Sequence, residues 1–460
     1  MTRPCKRATL VPFLGAPMRA WLFVAVLCPC FGQAALPLPR GEVITKVTCL
    51  ANPRFSYALY LPSAYREDQT WPVLFGFSPG GRGEEPVRLF REAAERFGWI
   101  VVGSHDSRNG PLRPAVEGSD ALWKDVTARF KVDPARHYSV GFSGGSRMAL
   151  RLALKHPKQF AGLISIGAFG TGDGLLTGLG HLHFLLLSGL EDFNHWEMLE
   201  GRQELRSRGW QALAYHFEGG HRWPPEAIAT MALTFLQFGA ARKGFIPRDP
   251  ALENDFQCWL ETQAEAAGRT LLALRRWQEL ALWFPETAAG RKAAGTIPLL
   301  EKEPAVRVEL RLEKHYQEKS GELPKIRSTG IGYHEFLVKQ LAALAQAPPA
   351  ERVMIRRLLG SAIGDHQMAA SEALEAKNWE RLLAIASNLA ALDDREPLPC
   401  ILMAAALAQL SRPSEALAHL KNAQLRGYRK PEKLRALEWL KPLRGRPDFE
   451  ELLKAMQPSP

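Results

Sequence analysis

Between residues 40 and 245, short apolar runs alternate with longer segments in which apolar residues recur every three or four positions. The runs are RFSYALYLP (54–62), PVLFGFS (72–78), WIVVGSHD (99–106), HYSVGFS (137–143), AGLISIGAF (161–169), HFLLLSGL (183–190) and ALAYHFEG (212–219), and each predicts a strand. Several are apolar without interruption, as strands covered on both faces must be. The intervening EPVRLFREAAERFG (85–98), SDALWKDVTARF (119–130) and SRMALRLALKHP (146–157) have helical spacing. Strand and helix in alternation predict a mostly parallel sheet flanked by helices, an α/β fold. In such sheets, sites form beyond the carboxyl ends of the strands.

After about residue 248 the pattern changes. Strand signals stop, and Ala, Leu, Glu, Arg and Lys dominate to the end. Helical runs such as LENDFQCWLETQAEAAGRTLLALRRWQELALWF are expected to break at Pro or Gly near 286, 323, 348 and 397. From Asn378 the chain reads as paired helices: NWERLLAIASNLAALD, LPCILMAAALAQL and PSEALAHLKNAQLRG. The expected division is a leader (1–34), an α/β catalytic domain (40–245), a helical linker or bundle (249–375) and a helical-repeat segment (376–460). A plain helical bundle is the alternative for the last part.

The leader changes the picture of where the chain works. Arg19 precedes the apolar run WLFVAVLCPCFG, followed by small residues in GQAAL. A run of about twelve residues is too short to span a bilayer but suits a signal sequence. Cleavage is expected near Ala34 or Ala35, with periplasmic or secreted localisation and no membrane span in the mature chain. Neither Cys28 nor Cys30 follows a small residue, against a lipoprotein. The net charge is +11; four of these charges lie in the leader, leaving +7. Spread over more than 400 residues, that surplus reads as a soluble basic face. Of the mature cysteines, Cys49 and Cys258 are open to two readings, a disulfide or solitary thiols, and Cys400 stands alone. No phosphate-binding loop, dinucleotide-binding glycine set, zinc-ligand spacing or basic strip with interleaved aromatics occurs. No cofactor, metal or nucleic-acid partner is expected.

The chemistry is concentrated in GFSGGSRMAL (141–150). In G-x-S-x-G the serine stands on a sharp strand-to-helix turn, where side chains two residues away on either side would collide. Gly141 and Gly145 meet that demand, with HYSV before and a helical pattern after. A serine hydroxyl needs a base, and the base an orienting acid. EDFNHW follows one later strand and GGHRWPPE the next, which places Asp192 and His221 on the same sheet edge as Ser143. The N–H groups at the helix start, Gly144 above all, suit an oxyanion.

Together GFSGGS, GLEDFN and GGHRWP resemble the α/β-hydrolase superfamily. The Gly-Gly-His-x-Trp-Pro element is similar to that of secreted polyhydroxybutyrate depolymerases and feruloyl esterases. The resemblance covers about 200 residues, and SRPSEALAHLKNAQLRGY, near the end, resembles the second helix of a tetratricopeptide repeat. It implies Ser143 as nucleophile, His221 as general base and then acid, Asp192 as orienting carboxylate, and a small-molecule or polymeric ester as substrate. One departure stands out. Such esterases carry His-Gly after the third strand, whereas this chain has FGFSPGGRG, so the second oxyanion donor falls to Gly80 or Gly81.

Rivals remain for the acid: Glu191 beside Asp192, and Asp173 in GTGDG. His105, His181, His183, His195 and His216 are poorer bases by position. SHDSRNGP (104–111) is either an ordered surface turn or part of the substrate site, with Arg108 and Asn109 as binding groups. Trp223 is a further substrate-binding candidate. Two other functions stay open: a hydrolase scaffold without turnover whose helical region holds a protein partner, and a serine peptidase of the same fold.

Overall fold

The computed structural model describes residues 38–170, 176–329 and 333–456. The leader and the Asp173 candidate lie outside them. Eight strands form one sheet in the order β1-β2-β4-β3-β5-β6-β7-β8. They are β1 (Val43–Thr48), β2 (Ser56–Tyr60), β3 (Trp71–Phe77), β4 (Ile100–Ser104), β5 (Val132–Phe142), β6 (Phe160–Ile166), β7 (His183–Gly189) and β8 (Gln211–Phe217). β1 and β2 are antiparallel to their neighbours; all other pairings are parallel. β3, β6 and β7 are buried along their whole length, the physical counterpart of their uninterrupted apolar runs. β1 escapes the apolar pattern because it is a largely solvent-facing edge strand, VITKVT.

Five helices cover the sheet: α1 (Glu84–Phe97), α2 (Leu112–Arg129), α3 (Gly144–Lys155), α4 (His195–Ser207) and α5 (Glu226–Arg242). α1 packs against α5 on one face and α2 against α3 on the other. The helical remainder comprises α6 (Pro250–Ala266), α7 (Leu271–Trp283), α8 (Ala288–Lys302), α9 (Pro304–Thr329), α10 (Tyr333–Gln346), α11 (Pro349–Glu375), α12 (Trp379–Leu392), α13 (Leu398–Gln409), α14 (Pro413–Leu425), α15 (Pro431–Ala436) and α16 (Pro447–Ala455), with a 3₁₀ turn at Glu438–Leu443. Two expectations about helix breaks need correcting. α9 runs straight through Pro324, where a break was expected. The long run from Leu252 to Phe284 is two helices, separated at Gly268 (φ +67°) and restarted by the Thr270 side chain capping Ala273 N–H.

The core does not stop where strand signals stop. One continuous hydrophobic cluster runs from the sheet and α5 through Phe256, Leu260, Leu274, Trp277 and Trp283 to Val306. A separate cluster unites α11 to α16, and a third joins α9, α10 and α11 to Trp196 of α4. Cys49, Cys258 and Cys400 are all free thiols, with Cys258 exposed, so the disulfide reading of Cys49 and Cys258 is not met. No described helix is long and apolar enough to cross a membrane.

Candidate active site

Ser143 joins β5 to α3 with φ 55° and ψ −125°, one of three described non-glycine residues with positive φ. Such backbone costs about 1–3 kcal/mol and persists only where the surroundings enforce it. Here they do. Ser143 N–H donates to Ile166 O on β6 (2.8 Å), and its carbonyl accepts from Ser146 N–H (2.9 Å). A Cβ on Gly141 would lie 2.1 Å from Gly145 O, and one on Gly145 would lie 2.2 Å from Phe77 O. Both glycines of G-x-S-x-G are therefore required by backbone packed against backbone.

The acid loop follows β7. It is closed by Leu190 N–H to Phe217 O (2.8 Å), Glu191 N–H to Gly219 O (2.9 Å) and Asp192 N–H to Gly189 O (3.2 Å). Asp192 is fully buried. Its Oδ1 accepts from His221 Nδ1 at 2.9 Å and from Asn194 N–H at 2.8 Å, while Oδ2 has no hydrogen-bond partner among the described residues. Glu191 turns the other way, into the guanidinium of Arg395 (2.7 Å). The carboxylate joined to the histidine is thus that of Asp192.

His221 follows β8 and the Gly219–Gly220 turn. Its ring lies between those of Phe142 (centroids 4.6 Å apart) and Phe193 (4.2 Å). Gly167, at φ +61°, floors the pair: a Cβ there would meet Asp192 Oδ2 at 2.9 Å and the His221 ring at 3.1 Å. Gly167 and the two phenylalanines were not singled out from sequence, although glycine directly after a buried strand on the active edge is a readable signal. Trp223 is committed to the framework, its indole N–H donating to Glu85 (3.1 Å), which also accepts from Ser78 Oγ (2.6 Å).

The loop after β3 carries the oxyanion candidates. Pro79 has no N–H, and Gly81 N–H is spent on Ser78 O (3.1 Å). Gly80 N–H makes no hydrogen bond within the described residues, and Gly144 N–H stands at the start of α3 without a helical acceptor. The carboxamide of Asn109 packs over Gly144 so closely that a Cβ there would lie 1.8 Å from Asn109 Oδ1. Arg108 is exposed on the same loop, its Cβ near Gly81. His105 braces this region, accepting from Gly83 N–H (3.2 Å) and meeting Thr45 O (2.8 Å). The other histidines lie apart. His195 and His216 share Ser188 Oγ in a buried cluster, His181 meets Phe160 O, and His183 is buried against Phe235.

The helical region touches the acid loop directly. Arg357 on α11 is 3% exposed and donates Nε–H to Leu190 O at 2.6 Å. Its Nη1 reaches Glu313 of α9 (3.2 Å), which also pairs with Arg275 of α7. Burial pulls the Arg357 guanidinium down to about 10, so it stays charged at neutral pH. Gly360 brings α11 against Phe193, where a Cβ would lie 3.3 Å from the phenylalanine Cβ.

A strained serine after the fifth strand, the acid after the seventh and the histidine after the eighth, on a mostly parallel sheet, is a recognisable plan. The fold is that of an α/β-hydrolase, followed by an all-helical region. No family model matches the chain. It is 45% identical over 51 residues to the protein named "Putative esterase NocK" of Nocardia uniformis subsp. tsuyamanensis, a stretch covering 11% of this chain and 15% of that one. Among solved structures, it is similar to a ferulic acid esterase (15% identity, 43% of this chain and 97% of that one, TM-score 0.36). S-formylglutathione hydrolase of Staphylococcus aureus is another (14%, 44% and 99%, TM-score 0.35), as is an esterase of Pyrobaculum calidifontis (18%, 45% and 87%, TM-score 0.34). Among the described residues no group of three or more His, Cys, Asp or Glu side chains is placed to hold a metal ion.

Proposed function

We propose that this protein is an exported serine hydrolase that cleaves carboxylic esters through an acyl-enzyme on Ser143. The observation that carries the reading is the 2.9 Å bond between His221 Nδ1 and the buried Asp192 carboxylate, on the sheet edge that also bears a strained serine. With Nδ1–H held by Asp192, Nε2 keeps its lone pair for the Ser143 proton. Ser143 Oγ then attacks the ester carbonyl as Nε2 takes that proton. The tetrahedral oxyanion is assigned to the N–H groups of Gly144 and Gly80, with the Asn109 carboxamide alongside. Collapse breaks the C–O bond, and the alcohol leaves with the proton from Nε2. Water, deprotonated by the same nitrogen, releases the acid. Esters are favoured over peptides by the short sequence likeness to a protein named as an esterase.

Hydrolysis of p-nitrophenyl butyrate and labelling by a fluorophosphonate test this reading. Both are expected in the parent, and both should vanish in Ser143→Ala. A parent that neither turns over nor labels would leave the second reading, a hydrolase scaffold that binds without turnover. The diversion of Gly81 N–H to Ser78 O is the observation that favours it. Export is checked by sequencing the N-terminus of the secreted chain, expected near Ala34 or Ala35.

A further inference from the structure

A cavity of about 860 Å³ lies between the His221 loop and helices α10, α11 and α12. Its volume falls in the range of small-molecule sites. His221, the Gly219–Gly220 turn and Phe193 form one wall; Ser143 is not among the lining residues. Leu341, Leu344, Leu359 and Ile363 supply an apolar wall opposite. Arg352 and Arg356, one turn apart on α11, also line it.

The state of the charges decides what this space would hold. Arg395 grips Glu191 with both terminal nitrogens (2.7 and 3.3 Å) and Asp393 as well (3.0 Å). Arg222 is exposed and donates to Glu218 O, and Asp394 and Glu396 are exposed. Arg356 is different. Its side chain is 22% exposed, its nearest carboxylate oxygen is 3.8 Å away on Glu191, and its buried Nη1 has no hydrogen-bond partner among the described residues. Arg352, which is exposed, spends Nε–H on Ala347 O (2.7 Å), and among the described residues no acceptor holds its two terminal nitrogens. A buried guanidinium nitrogen left unpaired is costly, and Arg356 Nη1 is one; with the exposed Arg352 one turn away adding a second positive charge, the pair presents a demand for a planar anion.

We infer that this cavity binds the part of an ester substrate that carries a free carboxylate, with Arg356 and Arg352 gripping the carboxylate and the leucine-rich wall covering the adjoining hydrocarbon. The preferred substrates are then half-esters of dicarboxylic acids rather than simple neutral esters. This rests on the esterase reading, and the tests keep the two apart. The mono-p-nitrophenyl ester of adipic acid is compared with the same compound methylated at its distal carboxyl. The parent should favour the free acid by at least tenfold in kcat/KM, carried mainly by KM. In Arg356→Ala and in the milder Arg356→Gln and Arg352→Gln that ratio should fall toward one. A parent ratio near one, or a ratio unmoved in all three variants, overturns the inference. If the parent hydrolyses neither ester, the esterase reading fails by itself. Calorimetric binding of adipate then decides the anion site: binding to the parent that weakens at least tenfold in Arg356→Gln supports it, and absence of binding overturns it.

Discussion

Replacing Arg357 by Met keeps most of the side-chain volume and removes every donor. Two groups then lose a partner: the part-buried Leu190 carbonyl, held at 2.6 Å, and the buried Glu313 carboxylate, which keeps Arg275 as its remaining cation beside the neutral ring of His195 (3.9 Å). An orphaned buried carbonyl costs about 1–3 kcal/mol, and breaking a buried pair by removing one partner about 3–5 kcal/mol. Because Arg275 still shields Glu313, the expected total is about 3–5 kcal/mol, a large share of the ~5–15 kcal/mol that holds a domain folded. Urea unfolding followed by tryptophan fluorescence reads this directly. The pH dependence sharpens the test. Burial pushes the Glu313 carboxyl up, but Arg275 and Arg357 more than offset it, and it sits below the ordinary value. A depressed carboxyl adds stability above its unfolded value, and that stability fades as pH falls through the folded value. Without Arg357 the offset weakens and the carboxyl rises. The gap between parent and variant should therefore be widest at neutral pH and narrow below about pH 4. Adding Glu313→Leu to the variant should recover part of the loss, because the uncompensated charge is gone. A loss under about 1 kcal/mol at neutral pH, or one of equal size in acid, would refute the reasoning.

Gly145→Ala should abolish activity and most of the folded yield, since its Cβ would stand 2.2 Å from Phe77 O in fixed backbone. Gly295→Ala, with nothing within 4 Å on helix α8, should instead gain about 0.5–1 kcal/mol in the same urea assay. Asn109→Ala should lower kcat about 10²–10³-fold with little change in KM, the mark of a group that acts on the oxyanion. Acid should destabilise the fold early. Burial pulls His137 down to about 4 and His183 to about 3, and holds His195 and His216 well below the ordinary range. These rings favour folding above the unfolded value near 6.5 and withdraw that support as pH falls toward their folded values. The loss is about 1.4 kcal/mol per ring per pH unit, on the order of 5 kcal/mol for the four at pH 5.5. Urea midpoints unchanged between pH 7.5 and 5.5 would contradict this.

Seven of the eight strands, β2 to β8, were legible because burial under the covering helices demands apolar runs. The serine, acid and histidine positions were legible because each lies just past one of those runs. β1 was not, since a half-solvated edge strand such as VITKVT carries no such run. Nor was the loss of Gly81 N–H to Ser78, which depends on turn geometry rather than composition. The two neighbours Arg356 and Arg357 are the clearest case. In MIRRLLG they look alike, yet one lines a cavity and the other is buried beneath the acid loop, 167 residues away in sequence. Only the helical phase separates them. Arg357 shares the buried stripe of Met354, Leu358 and Ala362, so an arginine on an apolar face was the one signal available. Helix continuity through Pro324 was hidden because proline is a strong but local breaker, which the flanking turns of a 26-residue helix overrule.

The ties between the acid loop and the helical region also set an order of events during synthesis. All eight strands have been made once Phe217 is added, yet the partners of Leu190 and Glu191 are Arg357 and Arg395. At ribosomal speeds of about 5–20 residues per second, those partners trail the last strand by roughly 7–36 s. For that interval the sheet is complete while the loop bearing Asp192 lacks its outer supports. The C-terminal helices thus act as a timer as well as a wall, withholding the finished site from the nascent chain until nearly the whole protein has been translated.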